Sequence, residues 1–262
     1  MSKTPLIIIP ARFASKRLPG KPLKKIGDKM LIEHAIRSAW QAKGAERRIL
    51  VATDNEQIAG TVDIIGNKRP IPRGKLVHWR MTDEDLETGT DRCAQAIEED
   101  YGWSEKCPDW VINVQGDMPW GTAKYIERVI AACQAEPQYD MITPICMKDV
   151  VYWDTGVKYF ARQTLTAGHV GIYAYRKAAL REFYECSQAA VEVNESSLLG
   201  RQYNAEREIE IKTDLEQNRA VKMGLKIKRL EVYDLPMPIE INTYADLYAA
   251  QELANEVCQS SD

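Results

Sequence analysis

"LIIIPARFASKRLPGKPLKKIGDKMLIEHAIRSAWQAKGAERRILVATD", residues 6–54, decides the fold. Leu6–Ile9 is a short branched aliphatic run, the composition of a strand buried on both faces. Leu31–Gln41 then sets Leu31, Ala35, Ile36 and Ala39 at helical spacing, and RRILVATD, residues 47–54, is a second apolar strand. Strand, helix and strand in that order make a βαβ unit. The linking turn gathers Arg12, Lys16, Arg17 and Lys21, with Gly20 between two prolines.

The alternation continues. Asn55–Val62 begins a helix; the basic stretch GNKRPIPRGK leads to LVHWRMT, residues 76–82, as a further extended segment. Asp91–Glu99 reads as helix, WVINVQGD (110–117) as a buried strand, Ala123–Ala135 as an amphipathic helix and YDMITPICM (139–147) as a strand. This rhythm predicts an α/β fold: a Rossmann-like, mostly parallel sheet with helices on both sides. Later segments change character. GVKYFAR (156–162) and HVGIYAYR (169–176) are short, alternating and aromatic, as antiparallel strands of a smaller strand and helix subdomain would be. Residues 187–213 are polar and suit helix and loop, DLEQNRAVKMG (214–224) is a helix ending on Gly224, and KIKRLEVYD (226–234) is a strand. Tyr244–Val257 is a last amphipathic helix with Asn242 or Thr243 as its cap, and the QSSD tail frays. No repeat or low-complexity linker divides the chain, which predicts a single domain over residues 1–262.

With 262 residues, a net charge of −3 and 45% hydrophobic content, the chain can bury a large core. Near-neutral charge argues against general affinity for nucleic acid or anionic membrane, so the N-terminal cations are a local device. No apolar run approaches the ~18–20 residues of a membrane span, and the start is too soon broken by Pro5 and Pro10 for a signal peptide. The six cysteines are scattered without a Cys-x-x-Cys pair, which predicts reduced thiols in a cytoplasmic protein.

A turn rich in Arg and Lys at the carboxyl end of a buried strand lies where α/β folds bind ligands. Arginine grips phosphate oxygens with a planar fork and lysine as a mobile point charge, so Arg12, Lys16, Arg17 and Lys21 predict a polyanion site. The spacing matches neither a Walker loop nor a Gly-x-Gly-x-x-Gly fingerprint. Asp117 ends the strand 110–117, where one carboxylate beside phosphate oxygens suits magnesium. In ETGTDR, residues 87–92, the hydroxyls of Thr88 and Thr90 and the backbone at Gly89 suit either ligand contact or helix capping by Thr90 and Asp91.

IIPARFASKRLPGKPL resembles the opening signature of the CMP-Kdo synthetases, the 3-deoxy-manno-octulosonate cytidylyltransferases. VATDNEQIA, MTDEDLETGTDR, VINVQGDMPW, YFAR, HVGIYAYR, DLEQNR and PIEINTYADL follow in family order across nearly the whole chain. The resemblance implies transfer of CMP from CTP to an acidic sugar with release of pyrophosphate and Mg2+ as cofactor. It also implies a homodimer, placing the nucleotide and metal part at about 1–150 and 225–257 and the sugar-binding and dimerisation part at about 151–224. The N-terminal turn would hold the triphosphate and Asp117 the metal. Thr88, Gly89 and Arg92 would recognise cytidine; Gln115, Arg162, His169, Glu210 and Gln217 would line the sugar-acid pocket, Glu210 being alternatively a surface charge.

The chain departs from the family at several places. Asn242 stands where an Asp is usually the second metal ligand; its amide oxygen can coordinate but lacks charge, and Glu240, two residues earlier on an extended segment, could substitute. Asp83-Glu-Asp-Leu-Glu, Thr213 and a shorter segment between Asp149 and His169 alter the acceptor region. An amino-substituted octulosonate is therefore an alternative acceptor, and a non-catalytic nucleotide-sugar-binding protein a more distant one.

Overall fold

β1 (Leu6–Ala11) sends alternate side chains to opposite faces of the sheet, as expected for a strand buried on both. Ile7 and Ile9 join one core, and Leu6 and Ile8 the other. The computed structural model describes residues 4–15, 17–44, 48–67, 76–147, 163–164, 167–192 and 217–259. β1 pairs in parallel with β4 (Arg48–Thr53) and with β6 (Trp110–Val114), and β4 pairs in parallel with β5 (Leu76–Met81). The helices between these strands are α1 (Leu31–Gln41), α2 (Glu56–Asn67) and α3 (Gly89–Tyr101). α4 (Thr122–Ala135) follows β6 and packs beside α1 over Ile7, Ile9, Val51 and Ile112. On the opposite face α3 packs against α5 (Lys177–Glu192) over Leu6, Ile8, Leu50 and Val111.

Beyond β6 the order is not sequential. β10 (Ile172–Arg176) lies antiparallel between β6 and β7 (Met141–Cys146), and β11 (Ile227–Val232) pairs in parallel with β7. The short β8 (Gln163–Thr164) and β9 (Ala167–His169) extend the same sheet antiparallel to one another, β9 pairing with the end of β7. Of HVGIYAYR, Ile172–Arg176 is antiparallel as expected and sits in the middle of the main sheet, while His169 ends β9. GVKYFAR lies outside the described residues. Neither the hairpin of β2 (Lys25–Ile26) and β3 (Lys29–Met30) nor the start of α5 directly after β10 at residue 177 could be read from the residue pattern. Helix α6 (Gln217–Lys222) ends before Gly224 at φ +74°, the left-handed cap that its glycine predicted. A third cluster of Leu18, Ile26, Leu31, Ile241 and Ala250 seats the basic turn against α7 (Tyr244–Gln259).

The carboxyl ends of β1, β4, β5 and β6 all meet one edge of the sheet. That edge carries Arg12, Asp54, Thr82 and Gln115–Asp117, each just beyond its strand.

Candidate active site

The basic turn is built on the Phe13 peptide. Its N–H donates to Asp54 Oδ1 at 2.9 Å, and its carbonyl accepts from Ser15 N–H at 3.0 Å and Gly20 N–H at 3.1 Å. Gly20 adopts φ +63°, a conformation that favours glycine, and opens the short helical turn Lys21–Leu23. Leu18 is wholly buried and pins the turn, while Arg12 and Arg17 stay exposed. Lys21 points inward, its Nζ 2.8 Å from Asp117 Oδ2. Arg17 Nη2 lies 3.4 Å from Asn242 Oδ1. The first strand's turn is thereby joined to two predicted metal ligands. Lys16 lies outside the described residues.

Asp117 follows β6, and its carbonyl accepts from Ile241 N–H at 2.9 Å, which draws residues 240–242 alongside. Its Oδ1 is buried and has no hydrogen-bond partner among the described residues. A buried carboxylate oxygen left so is costly unless a cation or donor completes it. Among the described residues no cluster of three or more His, Cys, Asp or Glu gathers there. That donor set fits magnesium, which takes one or two protein carboxylates and completes its shell with phosphate and water oxygens. Asp246 serves another purpose. Its Oδ2 accepts from the N–H groups of Asn242 (2.9 Å) and Thr243 (2.7 Å), while Thr243 Oγ1 accepts from Asp246 N–H, a reciprocal cap on α7. Burial alone would raise the Asp246 carboxyl, but these two N–H donors outweigh it and hold it below its usual range.

Thr88, rather than Thr90 or Asp91, is the N-cap of α3, its Oγ1 accepting from Asp91 N–H at 3.0 Å. Gly89 allows close packing: a Cβ there would stand 3.2 Å from Gln115 Nε2 and 3.3 Å from Pro10 Cγ. Gly171 does the same on the other side, where a Cβ would stand 3.0 Å from Gln115 Cγ. Gln115 is wedged between two glycines, and its N–H donates to the Gly171 carbonyl at 2.9 Å. His169, two residues before Gly171, stacks on Tyr173 at 5.3 Å. Thr88, Gly89 and Gln115 therefore meet where α3 begins and β6 ends, and His169 belongs to the segment that carries Gly171. Arg162 and Glu210 lie outside the described residues, as does the side chain of Gln217, whose backbone opens α6.

Arg92 is buried. Its Nη2 meets Asp54 Oδ2 at 3.1 Å, and its Nη1 donates to the Asp83 carbonyl at 3.1 Å and to Thr82 Oγ1. Burial lowers its basicity, the Asp54 carboxylate opposes that, and the Arg12 charge adds to it. The neighbouring Asp91 reaches the other way. Its Oδ1 accepts from Arg219 Nη1 at 2.9 Å and Ser187 Oγ at 2.6 Å, and its Oδ2 from Thr88 Oγ1 at 2.5 Å. The first turn of α3 thus ties the basic turn to α5 and α6. Neither Asp54 nor Arg219 stands out in the residue pattern as a site residue. Asp54 ends an apolar strand just as Asp117 does, a signal that could have found it; Arg219 lies 128 residues from Asp91 and offered none.

A sequence profile described as cytidylyltransferase matches residues 6–159. An 8-amino-3,8-dideoxy-manno-octulosonate cytidylyltransferase of Shewanella halifaxensis is 34% identical over 92% of this chain and 94% of its own. A 3-deoxy-manno-octulosonate cytidylyltransferase of Bdellovibrio bacteriovorus is 32% identical over 94% and 96%. Among solved structures, a CMP:2-keto-3-deoxy-manno-octonic acid synthetase complexed with CTP superposes with a TM-score of 0.71 and 27% identity, covering 97% of this chain and 99% of that one.

Proposed function

Since the chain belongs to the cytidylyltransferase family and is a nucleotidyltransferase, we propose that it couples CTP to 3-deoxy-manno-octulosonate, giving a CMP-sugar and pyrophosphate. The observation that supports this most directly is the Lys21–Asp117 contact, which joins a cationic turn to a carboxylate whose second oxygen has no hydrogen-bond partner among the described residues. In the proposed reaction the anomeric hydroxyl of the sugar attacks the α-phosphorus of CTP in line with the departing pyrophosphate. Arg12, Lys16, Arg17 and Lys21 orient the β- and γ-phosphates and stabilise the charge that grows on them. Asp117 and the Asn242 amide oxygen would hold Mg2+, which when bound lowers the pKa of a coordinated hydroxyl and neutralises phosphate charge. Thr88 and Gly89 face the cytidine, with Arg92 beneath them. Gln115 and His169, with Arg162, Glu210 and Gln217, receive the acid sugar.

An 8-amino octulosonate is the second reading. The exposed acids Asp83, Glu84 and Asp85 suit an ammonium substituent, and the Shewanella relative carries that sugar in its name. We place the enzyme in the cytoplasm as a homodimer. Cys93, Cys107, Cys133, Cys146 and Cys186 form no disulfide among the described residues, where no helix is long and apolar enough to cross a membrane. The part at about 151–224 would carry the dimer contact, and light scattering would report the mass. The deciding assay follows pyrophosphate release from CTP with each sugar while magnesium is titrated. Asp117→Asn should slow turnover about 10²–10³-fold, the usual effect of losing one such electrostatic contact. Unchanged turnover in that variant would remove the metal assignment, and indifference to 3-deoxy-manno-octulosonate would remove the first-named acceptor.

A further inference from the structure

We infer that Asp54 and Arg92 are positioning residues of the triphosphate turn: their buried ion pair fixes the Phe13 peptide, and through it the place of Lys21. The inference rests on the proposal that this turn binds the triphosphate of CTP. Both side chains are out of solvent, with Arg92 2% and Asp54 4% exposed. The two carboxylate oxygens are divided between two tasks, Oδ1 accepting from Phe13 N–H and Oδ2 meeting Arg92 Nη2. Arg92 is fixed in turn by Thr82 and by the Asp83 carbonyl, both just beyond β5. The anchor therefore belongs to the sheet edge and not to the turn.

From Phe13 the constraint passes along the backbone. The Phe13 carbonyl accepts from Gly20 N–H, Gly20 takes its left-handed conformation beside the Phe13 ring, and Lys21 follows at once. A carboxylate accepting a backbone N–H is a charge-assisted bond, stronger than a neutral one. Arg92 keeps that carboxylate aimed at the Phe13 peptide, in a site both side chains close to solvent. Without the pair, the Phe13 N–H loses its acceptor, and the turn that aims Arg17 and Lys21 loses its only side-chain tie to β4 among the described residues. Arg92 thus acts through Asp54, without touching nucleotide.

The test measures KM for CTP, KM for the acid sugar and thermal midpoint in Asp54→Asn, Arg92→Met, Arg92→Lys and the double variant Asp54→Ala/Arg92→Met. The double variant removes both charges together, so no unpaired ion is left inside to unfold the protein. Its KM for CTP should rise roughly 10- to 100-fold, the effect of one lost charge-assisted hydrogen bond, while KM for the sugar stays within about twofold. Arg92→Lys should recover part of the loss seen in Arg92→Met. In a cycle built on Asp54→Asn and Arg92→Met, the combined effect should be no larger than the greater single one, because both break one relay. Multiplying effects would mean that Arg92 contacts the nucleotide itself and would overturn the relay. So would a double variant whose CTP KM is unchanged while Arg17→Ala and Lys21→Ala raise theirs. If Arg17→Ala and Lys21→Ala also leave CTP KM unchanged, the triphosphate assignment falls, and this inference with it.

Discussion

Replacing Arg219 with methionine should destabilise the protein more than any surface change. Arg219 and Asp91 are 1% and 2% exposed, with Nη1 2.9 Å from Oδ1, and the guanidinium carbon lies 4.3 Å from the centre of the Phe183 ring. Methionine fills the same space but leaves the buried Asp91 carboxylate with the hydroxyls of Ser187 and Thr88 as its remaining side-chain partners among the described residues. Stranding one member of a buried pair costs about 3–5 kcal/mol. Domain stabilities run to about 5–15 kcal/mol, so this is a large fraction of the whole. At about 2–4 °C per kcal/mol for a chain near this size, the midpoint should fall by about 6–20 °C. Urea unfolding followed by circular dichroism gives the free energy directly. Asp91→Asn in the same background should win back part of the loss, a coupling of about 1 kcal/mol or more between the sites. A fall below about 1 kcal/mol for Arg219→Met, or strict additivity with Asp91→Asn, would refute the argument that the two charges depend on each other.

Gly171→Ala should push Gln115 aside, since the new Cβ would stand 3.0 and 3.1 Å from Gln115 Cγ and Cβ; steady-state kinetics should show KM rising more for the acid sugar than for CTP. Overpacking of that kind costs about 1–3 kcal/mol of stability as well, measurable by urea titration. Tyr125→Phe removes the hydroxyl that bridges the Leu235 and Pro236 carbonyls at 3.3 and 3.2 Å, and should cost about 0.5–1.5 kcal/mol in the same titration. Asp246 has a lowered folded pKa, so its stabilising effect is complete above its unfolded value of about 4 and is lost as pH falls through the folded one. The stability gap between wild type and Asp246→Asn should therefore be constant near neutrality and shrink below about pH 4, as thermal unfolding across a pH series would show.

What could be read from the residues was local. Leu6–Ile9, the α1 stripe and Trp110–Val114 each state their element by periodicity alone, and the strand-end rule put Arg12, Arg17, Lys21 and Asp117 on one edge, where they lie. The position of β10 could not be read this way. A short aromatic strand has the same pattern at an edge as in a centre, and its register against Val114 and Met141 is set by pairings far apart in the chain. Asn242 and Asp246 show the same division. Their spacing announced a helix start, but only the packed structure shows that Asp246 is engaged by the cap and Asn242 faces Arg17. The family resemblance made Arg92 a cytidine contact; its burial against Asp54 depends on β4 and β5 lying side by side and could not be read from the loop.

The antiparallel strand at the centre sets the order of assembly. β6 is complete at residue 114, yet the neighbour that covers its free side is not synthesised until residue 176, and β7 waits for that same segment. A nascent chain that has emerged only to residue 147 would show an unpaired margin that is apolar but for Asn113, the kind of surface on which strands from other molecules add. Cleavage or truncation between those points should yield aggregate instead of a half-sized soluble fragment.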